Sequence, residues 1–122
     1  MKKAILYARV ARAASDGQKE THNNLPMQLE AMRQYAKTHD LQIVREFQEV
    51  YSGAQLERSA LNRVREMLAR HEAEVLIVYA PDRLSRSLSH LVTLRAEFER
   101  AGIELCFVKN FETDLVLPQI DF

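Results

Sequence analysis

Apolar positions in this chain fall into two kinds of run that alternate along its length. Residues 4–10 are apolar with β-branched and aromatic members, interrupted only by Arg9, which suits a strand buried on both faces. Residues 11–24 are small and polar without a sustained period and predict a loop. Asn24 can then cap a helix with Pro26 in its first turn, where a missing N–H costs nothing. Leu25, Leu29, Met32 and Ala36 share one face of that helix, and the pattern fades near His39 or Asp40. Residues 41–50 alternate through Ile43, Val44, Phe47 and Val50 as a second strand, which Tyr51-Ser52-Gly53 breaks into a loop. Ser59 is placed to cap a second helix, with Leu61, Val64, Met67 and Leu68 inward and an end near His71. Residues 75–79 form a continuous apolar strand stopped by Pro81. A third helix starts at Ser85 or Ser87, carries Leu88, Leu91, Leu94 and Phe98 on one side and closes at Gly102, ahead of a fourth strand over residues 103–108.

Strands alternating with helices predict an α/β fold: a three-layer, mostly parallel sheet with helices on both faces. A length of 122 residues is enough for one such domain, residues 1–122, and too short for two. The hydrophobic share of 47% and charged share of 28% are those of ordinary globular proteins. No apolar run approaches the roughly 20 residues that span a bilayer. The apolar stretch after Met1-Lys2-Lys3 is broken at Arg9 with no small-residue cleavage site, so the expected location is cytoplasmic.

Charge and composition narrow the chemistry. Lys plus Arg and Asp plus Glu are 17 each, which argues against a domain that holds nucleic acid by bulk electrostatics alone. Cys106 is the only cysteine and reads as a buried, inert thiol. His22, His39, His71 and His90 show no metal-ligand spacing, and Gly17, Gly53 and Gly102 cannot build a phosphate-cradling loop. Pro81-Asp82 is not followed by the acidic-x-Lys triplet of a two-metal nuclease, so neither a metal nor another cofactor is expected.

In parallel sheets ligands bind outside the carboxyl ends of the strands, and here those ends carry Arg9, Ser52 and residues 82–86. Asp82-Arg83-Leu84-Ser85-Arg86 sets two guanidinium groups three residues apart at a predicted helix start, able to face one anion near its positive end. An acidic cap followed by solvated arginines gives the same pattern and does little. Leu84 reads as an anchor in the core. The charge of Arg9 must reach solvent or be compensated, by an anion at the strand ends or by a salt bridge to Asp82 or Glu49. Taken singly, Ser52 and Gly53 also read as turn residues, Arg58 as a solvated residue before the helix, and Gln28 as exposed.

Taken together, Tyr7-Ala8-Arg9-Val10, Gln28-Leu29-Glu30, Tyr51-Ser52-Gly53 with Arg58, and Asp82-Arg83-Leu84-Ser85-Arg86-Ser87 resemble the catalytic domain of the serine recombinases, the resolvase and invertase family, in order and spacing. The resemblance covers nearly the whole chain and implies a resolvase-like catalytic fold. It implies a reaction in which a serine directly after the Tyr-Ala-Arg-Val segment attacks a DNA phosphodiester, forms a 5′-phosphoserine link and frees a 3′-hydroxyl, without ATP or metal. By the same resemblance Arg9, Arg83 and Arg86 grip the scissile phosphate, and Arg58 adds a contact near the nucleophile or leaving oxygen. Asp82 orients an arginine, and Gln28 and Ser52 position the nucleophile loop.

The departure is Ala11, where the family pattern calls for serine. A methyl group cannot attack phosphorus. Ser15 is no substitute, because misplacing a nucleophile by an ångström or so costs about a hundredfold. Two origins fit: an engineered exchange in an active enzyme, favoured by the completeness of the remaining constellation, or a natural homologue kept as a non-catalytic dimerisation or regulatory module. A receiver-like α/β domain binding a small phosphorylated ligand at the same strand ends is a third reading. The long segment between Ala11 and Gln28 is similar to that of the large phage-integrase and transposon recombinases. Family members continue into a long oligomerisation helix and DNA-binding domains, so the implied partners are double-stranded DNA and further copies of the chain, as dimer or tetramer.

Overall fold

Four stretches of alternating inward positions build one parallel sheet in the computed structural model, which describes residues 1–12, 25–52 and 59–109, and of residues 11, 12, 51 and 52 the backbone alone. The elements are β1 (Lys3–Arg12), α1 (Leu25–Thr38), β2 (Gln42–Ser52), α2 (Ser59–Ala69), β3 (Val75–Val78), α3 (Pro81–Leu84), α4 (Leu88–Arg100) and β4 (Glu104–Phe107). The sheet order is β2-β1-β3-β4, with every pairing parallel.

The two central strands divide their side chains between two cores. Ala4, Leu6 and Ala8 of β1 and Val75 and Ile77 of β3 meet Leu29, Met32 and Ala36 of α1. Ile5 and Tyr7, with Leu76 and Val78, meet Leu61, Val64 and Leu68 of α2 and Leu94 and Phe98 of α4 on the opposite face. The expected three-layer α/β fold is therefore the observed one. Two bidentate ion pairs tie neighbouring elements together, one between a helix and the sheet and one between two helices of the same layer. Arg33 of α1 holds Glu46 of β2 at 2.8 and 2.7 Å, which keeps the Glu46 carboxyl below its ordinary range and raises the Arg33 guanidinium. Arg65 of α2 holds Glu97 of α4 at 2.9 and 2.6 Å.

Helix ends share one device. Asp40, His71 and Gly102 follow α1, α2 and α4 with φ of 60°, 60° and 77°. The next residue in each case returns its N–H into the helix: Leu41 to Ala36, Glu72 to Met67 and Ile103 to Phe98, at 2.8, 3.0 and 2.8 Å. Only the last of the three uses glycine.

Several expectations are corrected. β1 does not stop at Val10: it runs through Ala11 and Arg12, because these pair with Tyr51 and Ser52 of β2, and the same pairing carries β2 past the turn read at Tyr51-Ser52. The rest of the expected loop, residues 13–24, and Gly53 lie outside the described residues. Ser59 is the first helical residue of α2, and the oxygens that receive the next N–H groups come from Glu49. The inward residue near the end of β2 is Glu49, whereas Val50 is 50% exposed, since Phe47 sets the strand's phase. Residues 82–86 do not open one helix: Pro81–Leu84 form the separate turn α3, Ser85 is extended, and α4 starts after Ser87, whose hydroxyl accepts from the His90 N–H.

Candidate active site

Sheet order reverses at β1. The chain leaves β1 through α1 to reach β2 on one side, then crosses through α2 to β3 on the other, so the topological switch point, where parallel sheets bind ligands, lies at the carboxyl ends of β1 and β3. β1 pairs with β3 only as far as Tyr7↔Val78, while its pairing with β2 continues to Arg12↔Ser52. Arg9 therefore lies where β1 has lost one of its two strand neighbours. Fully buried Gln28, in the first turns of α1, fills the gap: its Oε1 accepts the Arg9 N–H at 3.4 Å and its Nε2 donates to the Arg9 carbonyl at 3.1 Å. Burial of this carboxamide overturns the reading of Gln28 as exposed.

Arg9 is 7% exposed as a residue, and its side chain reaches α3. Its Nε donates to the Arg83 carbonyl at 3.1 Å and its Nη2 to the Asp82 carbonyl at 2.8 Å. Carbonyls at a helix C-terminus lack intrahelical donors, so Arg9 supplies what a one-turn helix cannot supply itself. Arg9 also stands in register with Glu49, and both are buried on the same face of the sheet, which sets opposite charges side by side.

Glu49 organises the neighbouring layer. Its carboxylate accepts the Tyr7 hydroxyl, the Ala60 N–H at 2.9 Å and the Leu61 N–H at 3.3 Å. A negative group there meets the positive end of α2 and satisfies N–H groups that the helix leaves open. The sequence offers Glu49 only as a counter-ion for Arg9, and neither its bond to Tyr7 nor its place at the start of α2 was foreseen. The available signal was the two-residue period counted from Phe47, which puts Glu49 on the buried face.

Pro81 opens α3, and Leu84, fully buried, anchors it among the α2 and α4 side chains. Arg83 extends between core and surface, its side chain 12% exposed, with Nη1 at 3.7 Å from Oδ2 of the half-exposed Asp82. Arg86 is exposed in the α3–α4 junction. Contacts thus join Arg9, Gln28, Asp82 and Arg83. Ala11 and Ser52 sit at the paired ends of β1 and β2, and Arg58 lies outside the described residues. Among the described residues no cluster of three His, Cys, Asp or Glu side chains is placed to hold a metal ion. No helix among them is long and apolar enough to cross a membrane.

Comparison with known proteins adds the family. The family described as "Resolvase, N terminal domain" matches residues 4–119. The chain belongs to the resolvase family. It is 34% identical over 105 residues to a Bacillus subtilis protein named as a DNA recombinase, covering 86% of this chain and 21% of that protein. It is 30% identical over 113 residues to the transposon Tn917 resolvase of Enterococcus faecalis, covering 92% of this chain and 54% of that one. The chain thus spans between a fifth and about half the length of these resolvase-family relatives. In fold it is similar to a resolvase family site-specific recombinase from Streptococcus pneumoniae, with a TM-score of 0.76 at 20% identity over 98% of this chain and 85% of that one.

Proposed function

We propose that residues 1–122 are the catalytic domain of a DNA site-specific recombinase of the large serine type, which holds a scissile phosphodiester at the carboxyl ends of β1 and β3 and, with Ala11 in the nucleophile position, does not cut it. The observation that carries this reading is the tie from Arg9 to the carbonyls of Asp82 and Arg83, which locks the end of β1 to the element bearing the second arginine. Phosphoryl transfer needs positioning and charge stabilisation around the phosphate oxygens, which arginines supply without forming covalent bonds. Arg9, Arg83 and Arg86 grip the phosphate in this scheme, Arg58 adds a fourth guanidinium, and Asp82 orients Arg83. Gln28 holds the Arg9 backbone two residues before position 11, and Ser52 flanks that position from β2.

With serine at 11, Oγ would bond to phosphorus as the 3′-oxygen leaves, its proton passing to solvent or a neighbouring base and the departing oxygen taking one up. Alanine offers no lone pair for that step. The large type is favoured by the Bacillus subtilis relative, of which the chain covers only 21%. Double-stranded DNA and further copies of the chain are the partners in this reading, and the cytoplasm is its location.

The test is Ala11→Ser in the chain joined to its DNA-binding region, incubated with a nicked recombination site. A covalent protein–DNA adduct on a denaturing gel is expected. Intact DNA binding with no adduct overturns the catalytic reading in favour of a non-catalytic dimerisation or regulatory module, the alternative that Ala11 itself supports.

A further inference from the structure

The α3–α4 junction is held by side chains on both sides of Arg86. Ser85 is extended and only 4% exposed, and its Oγ accepts the Ser87 N–H at 3.1 Å. The same oxygen lies 2.9 Å from Nδ1 of His90, in the first turn of α4. Ser87 in turn caps α4, its Oγ accepting the His90 N–H at 3.2 Å. Backbone and ring of His90 are thus each bonded to one of the two serines that flank Arg86.

The Ser85–His90 bond does not depend on one protonation state. Ser85 Oγ receives one N–H from Ser87 and keeps a lone pair and its own proton. A neutral ring accepts that proton at Nδ1, and an imidazolium donates to the lone pair. The link is a mechanical one.

We propose that Ser85 and His90 are positioning residues for Arg86: they fix the backbone from which its exposed guanidinium reaches the phosphate held by Arg9 and Arg83. This inference rests on the phosphate site proposed above. An exposed arginine loses much rotamer freedom when it engages a ligand, and a mobile backbone would add to that loss. Bonding Ser85 to α4 and Ser87 to the first turn of α4 removes the backbone part before the phosphate arrives. A cap alone would need only Ser87.

The test uses the chain as it stands, titrated at low salt with a short DNA duplex and followed by the arginine Nε–H resonances in NMR. Arg86→Ala should weaken binding by about tenfold, as for loss of one charge-assisted contact. Ser85→Ala and His90→Ala should each weaken it by about three- to fivefold and add nothing once Arg86 is alanine. His90→Asn, which can present a polar atom near the place of Nδ1, should recover most of the loss. If Ser85→Ala does not fold, the half-buried His90 variants decide. Weakening that persists in the Arg86→Ala background, or unchanged binding on His90→Ala while Arg86→Ala weakens it, overturns the positioning role. Unchanged binding on Arg86→Ala, or no response to millimolar duplex, overturns the phosphate site and the inference with it.

Discussion

The carboxamide of Gln28 brackets the backbone of Arg9, taking its N–H at 3.4 Å and donating to its carbonyl at 3.1 Å, at the point where β1 has outrun β3. One side chain does the work of a strand. Gln28→Leu keeps the volume and leaves two buried backbone groups without those partners, at a cost of about 1 to 3 kcal/mol each. Urea denaturation should show the loss, and the Arg9 amide should exchange with solvent much faster than that of Leu6. A Gln28→Leu chain as stable as the parent would show that water replaces the carboxamide.

Glu49 joins Tyr7 to the start of α2, so its removal should act on two elements at once. Glu49→Ala forfeits two helix N–H partners and the phenol's acceptor, in total about 3 kcal/mol. Tyr7→Phe should cost about 1 kcal/mol, and the double variant should lose less than the sum because the residues share one bond. Chemical denaturation of the four proteins completes the cycle.

Tyr35 gives the chain an alkaline signature. Burial, then the neighbouring Cys106 thiol, pushes its phenol up to about 12 from the model-compound value of 10.0. The folded chain therefore favours the neutral phenol. That contribution is full below pH 10, where neither state is ionised, and is lost as pH rises toward 12 while the unfolded chain deprotonates first. Phenolate absorbance should show a late step that Tyr35→Phe removes, and the variant's stability should fall less steeply across the same window. A Cys106 thiol also raised by burial should react slowly with maleimide at neutral pH.

Left-handed residues at the helix ends predict opposite effects of glycine. An L residue there costs roughly 1 to 2 kcal/mol, of which glycine's looser unfolded chain takes back about 0.4 to 1 kcal/mol. His71→Gly should therefore stabilise by about 0.5 to 1 kcal/mol on these scales. Gly102→Ala should destabilise by about as much, through backbone strain alone, because an added Cβ meets no atom within 4 Å. Thermal melts of the two variants should shift in opposite directions.

Local pattern was enough for the sheet and the three long helices, because their inward residues recur at the period of the element: Leu29, Met32 and Ala36 on α1, or Leu76 and Val78 on β3. Long-range pairing escaped it. Tyr51 and Ser52 have the composition of a turn and become strand because the β1 backbone lies beside them. The turn α3 has no period to read, and its end is closed by Arg9 from a distant strand. At the site, residue types announced arginines and a carboxamide, but Gln28 bonds the Arg9 main chain and the Arg9 guanidinium bonds two main-chain carbonyls of α3, atoms that every sequence has. Near the end of β2 the apolar Val50 is exposed and the carboxylate of Glu49 is buried, a choice that only the open end of α2 beside it explains.

Position 11 is held by its main chain, as the register partner of Tyr51. Strand pairing of this kind asks nothing of the side chain, so the shape of the backbone there is indifferent to whether a methyl or a hydroxymethyl group projects from it. If position 11 carries the nucleophile as proposed above, selection on cutting and selection on folding are uncoupled at this one residue. On that reading a single exchange at position 11 switches the reaction off or on with no compensating change elsewhere.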